Sequence, residues 1–421
     1  MRNRSLETPK LKRALAWLEA QTLYPKIYWE HPNDGIYAGV GASFSSNVLP
    51  ENDDSCYFGG QDFTRRTGGL WEGFPESYFF APKVLFIPDM FQKLPFCQDQ
   101  RSRFSPLEAA SYLRDRRDGE GVKDRDADEG KKQLLKYDGY NSEESDGDLP
   151  PLPSLISRLD SPSYSDWIAS VEGVLKGIQQ KKYQKVVLAR HTDLTFNTPP
   201  SPFTLLAALP GDKKFAFVLS PDRAFIGATP ETLFRREGKR IESAAVAGTR
   251  PRGKTPEEDE MLQEELLSSA KDQHEFAVVE EMIQSALAPF CRTFKKSAQS
   301  VLQTPSVQHL HHHFEGILKT GVTDRALIAA LSPTPAVGGN PRERAIEEIV
   351  KREPFDRGWY GAPIGWVKPD ASHFMVGIRS ALLQKNHLNL FAGAGIVEGS
   401  DALKEWEELE HKISPFMRIF L

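Results

Sequence analysis

Cysteine is scarce in this chain. Only Cys56, Cys97 and Cys291 occur among 421 residues, far apart and odd in number. Without a Cys-x-x-Cys spacing, neither a disulfide framework nor a zinc site is implied. Such usage suits a reducing compartment, and a cytoplasmic location is expected. No apolar run reaches the roughly 20 residues that a membrane-spanning helix needs, so no membrane partner is expected. The opening MRNRSLETPKLKRALAWLEA lacks the apolar core of a secretory signal, and Glu7 and Glu19 are out of place in an organellar transit peptide. Its Leu11, Leu15, Trp17 and Leu18 stand among charges and predict an amphipathic helix. Positive charge is not in excess either. The net charge of −5 argues against a nucleic-acid partner.

What the chain does have is core material. Its hydrophobic fraction is 39%, with 25 Phe and 7 Trp to fill an interior. Residues 24–100 alternate between turn residues and predict strands. Tyr57-Phe58-Gly59-Gly60 carries the glycines of a tight bend or bulge. Residues 114–150 break the pattern. Almost devoid of apolar residues, they cannot bury enough surface to offset their ordering entropy, and a flexible surface insertion is expected. Beyond Pro150 the elements lengthen. The pattern predicts helices over Ser163–Gln180, over Pro256–Leu287 as one or two pieces, over Thr323–Leu331 and Pro341–Lys351, and from Ala402 to Ile413. Lys185–Arg190 reads as a short buried strand, and Phe215–Leu219 with Ala224–Gly227 as a strand pair. Phe374–Arg379 and Leu388–Ala392 read as a hairpin. Strands and helices come in blocks without strict alternation, which favours an α+β fold.

Two distant stretches carry acidic residues at helical spacing. One is Lys271-Asp272-Gln273-His274-Glu275. The other is Glu405-Trp406-Glu407-Glu408, followed by Lys412. Residues three or four apart share a helix face, so each stretch can aim two carboxylates one way. Four converging carboxylates repel one another unless a divalent cation lies between them, and oxygen-only donors favour Mg2+ over zinc. Alone, such pairs are more often solvated helix faces. Other candidates stand singly. Lys185 opens an apolar strand, as many surface lysines do. Glu231 follows the Pro-containing turn of GATPE, where helix capping is the plainer explanation. Gly248-Thr249 ends a run of small residues in a turn. The loop Thr334–Pro341 opens a helix whose amides could face an anion. Gly393-Ala-Gly395 lets backbone approach a ligand closely.

Taken in order, KVVLAR, GATPE, AGTRPRG, the Asp272/Glu275 pair, QHL, PTPAVGGNP, RGWYGAPIGW, VGIRSA, AGAGIV and the Glu405/Glu408/Lys412 set resemble the chorismate-utilising enzymes. Within that group they resemble the isochorismate synthases, most of all those of the menaquinone branch. The resemblance is strong over residues 155–421. It extends loosely to YFGGQDF and the Trp71–Pro82 stretch.

It implies one large α+β domain over 1–421, with two antiparallel sheets stacked face to face and helices outside. Residues 1–113 form its divergent part, 114–150 the insertion and 151–421 the motif-bearing core. It implies an isomerase that binds chorismate with Mg2+ in a cleft, without a glutaminase subunit, as a monomer or weak homodimer. Residue by residue, Lys185 matches the base that activates water and Glu231 the acid that protonates the departing hydroxyl. Glu275 and Glu408 match direct Mg2+ ligands, and Asp272 and Glu405 match positions that hold the metal through water. Arg379 and Tyr360 match the clamp on the enolpyruvyl carboxylate. Gly248, Thr249, His309, Thr334, Gly393, Gly395 and Lys412 match pocket positions.

A dianionic substrate calls for cationic receptors. A lysine base must be neutral, which burial and nearby positive charge favour. The chain departs from the family pattern at Phe276, where a histidine is usual, at Ser332, and in the run His311-His312-His313. Rival readings are a salicylate or siderophore-branch enzyme, an ammonia-using synthase, and a non-catalytic module with this fold. Lysine at 185 favours water over ammonia, and intact catalytic positions speak against the module.

Overall fold

The computed structural model describes residues 9–51, 54–64, 69–87, 148–303 and 307–420. Nearly all of the 114–150 insertion and Cys97 lie outside the described residues. Two ten-stranded antiparallel sheets make up the frame. The first runs Gly339–Asn340, Lys185–Phe196, His387–Ile396, Ser380–Gln384, Arg223–Ala228, Lys214–Ser220, Lys26–His31, Gly35–Val40 and Val84–Phe86. Leu155–Ser161 joins it on the far part of Lys185–Phe196. The second runs Cys291–Lys296, Val307–Leu318, Arg240–Pro251, Thr232–Glu237, Ala371–Val376, Pro363–Val367, Tyr57–Gln61, Ser77–Ala81 and Phe44–Ser46. Ser300–Gln303 pairs with Val307–Leu318. An aromatic cluster joins the sheets. Trp29, Phe217 and Phe225 from the first meet Phe58, Trp366 and Met375 from the second, with Trp71 and Trp359 among them.

Eight helices are present among the described residues: α1 Pro9–Ala20, α2 Tyr164–Gln179, α3 Pro202–Ala208, α4 Pro256–Ser268, α5 Ala270–Leu287, α6 Asp324–Leu331, α7 Arg342–Arg352 and α8 Ala402–Met417. None is long and apolar enough to cross a membrane. Their starts follow local chemistry. Ser163 caps α2 by accepting the Asp166 amide, and Trp167, Val171 and Val174 then fall on its buried face. The acidic stretch Pro256–Leu287 is two helices because Ser269 is extended (φ −69°, ψ 110°). It ends α4 and caps α5 by accepting the Asp272 amide. Asp401 caps α8, whose buried stripe is Glu405, Leu409, Ile413 and Phe416. A glutamate in that stripe is the first structural sign of a polar site beneath the helix.

Four sequence expectations are corrected. Phe374 and Leu388 do not share a hairpin. Ala371–Val376 lies in the second sheet, the chain crosses at Gly377–Arg379, and the hairpin is Ser380–Gln384 with His387–Ile396. Lys185–Arg190 is the first half of a twelve-residue strand, because the polar alternation of residues 191–196 is itself strand-like. Gly248-Thr249 is a bulge within Arg240–Pro251, not a turn. The register shifts between Ala247 and Arg250, and Gly248 takes φ +65°. Gly59, expected at a bend or bulge, sits in a regular strand. A Cβ there would lie 2.0 Å from the Tyr78 carbonyl oxygen.

Candidate active site

Lys185 begins the strand Lys185–Phe196 and is only 3% exposed. On one side it pairs with Asn340, at the end of the Thr334–Pro341 loop. On the other, Val187 and Ala189 pair with Gly395 and Gly393. A Cβ on Gly393 would sit 2.9 Å from the Tyr360 hydroxyl and 3.1 Å from Val187 Cγ1, so this floor requires glycine.

Glu231 stands where the chain passes from Arg223–Ala228 in the first sheet to Thr232–Glu237 in the second. It is not at a helix N-terminus. Its backbone is fixed on both sides. Thr229 Oγ1 donates to the Val376 carbonyl at 2.7 Å and accepts the Glu231 amide at 3.2 Å. The Val376 amide donates to the Glu231 carbonyl at 3.1 Å. Thr334 Oγ1 donates to Glu231 Oε1 at 3.2 Å. Burial pushes the Glu231 carboxyl up to about 7, against the Thr334 hydrogen bond and the positive charges of Lys185, Lys213 and Lys412. A carboxyl so placed holds a proton near neutrality and can give it up.

Arg379 lies at the crossing between sheets with φ +49°, in the left-handed region that side chains rarely adopt. Its Nη1 donates to the Lys412 carbonyl at 3.0 Å. Lys412 Nζ donates to the Gly393 carbonyl at 2.8 Å and pairs with Glu408 at 2.5 Å. The Tyr360 ring stacks on Phe391 at 5.1 Å, and burial pushes its hydroxyl up to about 12, so it stays a donor. His309 Nδ1 lies 3.0 Å from the Gly248 carbonyl and 3.1 Å from Thr249 Oγ1. Burial lowers its pKa, as do Arg379 and Lys412, so a neutral ring donates Nδ1–H to the carbonyl.

The acidic pairs sit on α5 and α8, which Lys271 links by an ion pair to Glu405 at 3.8 Å. Asp272 is in the first turn of α5, against Gly248, and accepts from Arg250 Nη2 at 2.9 Å. Glu275 lies one turn further along α5, but its side chain is outside the described residues. Glu405 is buried. Burial and the charge of Glu408 raise its pKa, while Ser400, Lys271 and Lys412 oppose. The described members, Asp272, Glu405 and Glu408, offer only carboxylate oxygens, the donor chemistry that suits a hard divalent cation such as Mg2+, with Asp272 held by Arg250 and Glu408 by Lys412.

Among the described residues, the one trio of ligand types within 4.8 Å of one another is His31, Asp34 and His373. Asp34 Oδ2 and the two Nδ1 atoms are engaged, while His31 Nε2 and His373 Nε2 are buried without a hydrogen-bond partner among the described residues. Asp34 Oδ2 accepts from Trp29 Nε1 and Trp366 Nε1, each at 3.0 Å, and from His373 Nδ1 at 2.7 Å. His31 Nδ1 accepts the Asn33 amide at 3.1 Å. This is a hydrogen-bonded tie between the sheets.

Two of the departures from the family pattern, Phe276 and His312, meet in the fold. Phe276 is buried and stacks on His312 at 5.1 Å, and His312 Nε2 pairs with Glu280 at 3.1 Å. His311 faces the opposite side of the strand and meets Ser300 Oγ at 3.2 Å. Three further residues beside the site carry no single-residue signal in the sequence. Lys213 donates to the Pro230 carbonyl at 3.2 Å beside Glu231, and nothing in its GDKK setting marked it. Arg250, within AGTRPRG, holds Asp272. Arg357, within RGWY, is buried under the site.

Comparisons with known proteins identify the family. The family model for chorismate binding enzymes matches residues 45–421. The isochorismate synthase MenF of Bacillus subtilis is 34% identical over 367 residues, spanning 86% of this chain and 73% of its own. The salicylate biosynthesis isochorismate synthase of Pseudomonas aeruginosa is 37% identical over 253 residues, 59% of this chain and 53% of its own. The solved structure of MenF, the menaquinone-specific isochorismate synthase from Escherichia coli, superposes with a TM-score of 0.78 at 27% identity, covering 97% of this chain and 91% of that one. The chain belongs to the isochorismate synthases of the chorismate-binding enzyme family.

Proposed function

We propose that the protein converts chorismate to isochorismate. The observation that carries this reading is Glu231, a carboxyl pushed up to about 7 and ringed by Lys185, Lys213 and Lys412. An acid poised near neutrality suits the departure of a hydroxyl group, and a buried lysine suits the activation of water. Lys185 takes a proton from water as its oxygen bonds to ring C2. The two ring double bonds shift in concert, and the C4–oxygen bond breaks. Glu231 delivers its proton to that oxygen, which leaves as water, so one water enters and one departs. Arg379 and Tyr360 hold the enolpyruvyl carboxylate, and Lys412 adds positive charge near the ring. Gly393 and Gly395 let the ring lie flat on backbone. Thr334 orients Glu231, and His309 keeps Gly248 and Thr249 in place beside Asp272.

Mg2+ would be held by Glu275 and Glu408 directly and by Asp272 and Glu405 through water. When bound it supplies the positive charge that receives a substrate carboxylate. The menaquinone branch is favoured because the sequence likeness to the Bacillus subtilis MenF runs over 86% of the chain. The likeness to the salicylate-pathway enzyme is confined to a shorter span.

Chromatography of the products from chorismate, with EDTA and after Mg2+ is restored, tests the reading. Isochorismate should accumulate only with Mg2+. Undiminished turnover in EDTA would remove the metal role. Salicylate and pyruvate formed in equal amounts, faster than isochorismate decays without enzyme, would make this a salicylate synthase.

A further inference from the structure

We propose that Arg357, fixed by Glu353, is a positioning residue that holds the strand of Lys185 and the loop of Thr334 in register, so that base and acid face the same ring. The inference rests on the catalytic roles given above to Lys185 and Glu231.

The strand Lys185–Phe196 has an incomplete edge. Gly339–Asn340 pairs only with Lys185 and Val186, and Leu155–Ser161 takes over only from His191. Between them the Val187 amide still finds the Gly338 carbonyl at 2.9 Å. The next two backbone groups are met by side chains. Arg357 Nη2 donates to the Val187 carbonyl at 2.7 Å, and the Ala189 amide donates to Glu353 Oε1 at 2.7 Å. Arg357 and Glu353 thus stand in for the strand that is missing there. Unpaired buried backbone groups at this point would be costly.

The same guanidinium reaches the second functional segment. Nη1 donates to the Val337 carbonyl at 2.6 Å. Val337 and Gly338 in turn donate their amides to the Thr334 carbonyl at 3.1 and 2.8 Å. The fork is fixed from behind by Glu353, at 2.8 Å through Nε and 2.5 Å through Nη2. Phe63 lies 4.5 Å from the guanidinium carbon and Tyr360 5.7 Å. Both members of the pair are almost wholly buried. A buried ion pair is weak evidence for stability as such, because desolvation offsets its attraction. Here the planar fork bonds two backbone carbonyls from two segments at once, which a lysine cannot reproduce. Its consequence is geometric: Lys185 is two residues from Val187, and Thr334 three from Val337.

The test compares wild type, Arg357→Lys, Thr334→Val and the double variant in kcat, KM and the pH dependence of kcat. Wild-type turnover of chorismate is the control for the functional reading itself, and its absence would overturn that reading whatever the variants do. Arg357→Lys keeps the charge beside Glu353. We expect kcat to fall about 10²-fold, as for a small misplacement of reacting groups, with KM near that of wild type. The basic limb of the pH profile should move up, because a loosened Thr334 no longer favours ionised Glu231. Thr334→Val should move the same limb, and adding Arg357→Lys should then move it no further. If Arg357→Lys does not fold, Glu353→Gln replaces it, since it keeps an oxygen for the Ala189 amide, and the same displacement is expected. An unmoved limb, or a displacement fully additive with Thr334→Val, would overturn the proposal and leave Arg357 a structural residue only.

Discussion

Glu231 meets two opposing demands at the scale of a single residue. Burial keeps its proton on, and the lysines around it favour its loss. The balance has a measurable consequence for stability. The folded carboxyl titrates at about 7 and an ordinary one at 4.5. Below the lower value both folded and unfolded chains are protonated, and nothing is lost. Between the two the unfolded chain releases its proton while the fold retains it, so stability falls as pH rises, and above about 7 the full cost is present. Glu231→Gln mimics the protonated acid. It should therefore stabilise the protein by on the order of 2 kcal/mol at pH 8 and not at pH 4, measured by thermal or denaturant unfolding. A stabilisation independent of pH would show that Glu231 is not held protonated. The same variant should lose activity. Lys185→Ala should lower kcat by about 10²–10⁴ with the fold and chorismate binding retained, as expected for removal of a general base. Single-turnover kinetics and equilibrium binding separate these effects, and a near wild-type kcat would exclude Lys185 from the chemistry.

At the scale of elements, local chemistry fixes where α5 and α8 present their acidic groups. In α8 the i, i+4 stripe that buries Leu409 and Ile413 also buries Glu405. In α5 the Ser269 cap fixes where the first turn begins, and with it Asp272. That much is legible in sequence, because caps and periodicity are local. The bulge at Gly248 is not, since it depends on the register between Arg240–Pro251 and Val307–Leu318. Nor is the passage of the chain between sheets at Gly377–Arg379, which local pattern reads as a continuous strand. Lys213 was invisible for the same reason: only the crossing at Thr229–Glu231 brings it to the acid. Gly248→Ala tests the bulge. Its φ of +65° and contacts of 3.1 Å to Asp272 Cβ and Leu266 Cδ1 leave no easy place for a methyl group. The variant should lose about 1–3 kcal/mol of stability and bind Mg2+ more weakly, read by the metal dependence of kcat. Unchanged metal dependence would separate the bulge from the carboxylate set.

At the scale of the whole molecule, two sheets joined by an aromatic core distribute the proposed site residues over both sheets and the crossings between them. Lys185 comes from the first sheet, His309 and Gly248 from the second, and Glu231 and Arg379 from the two crossings between them. Ordered motifs made this family legible in the sequence. The pairing of distant strands, which decides what faces what, was not. The central claim is that water attacks ring C2 with departure of the C4 hydroxyl. It is tested most directly by running the reaction with Mg2+ in water enriched in heavy oxygen and locating the label by mass spectrometry. Isochorismate carrying the heavy oxygen on C2, formed by wild type and not by Lys185→Ala, is the predicted result. Unlabelled isochorismate, or none at all, would contradict it.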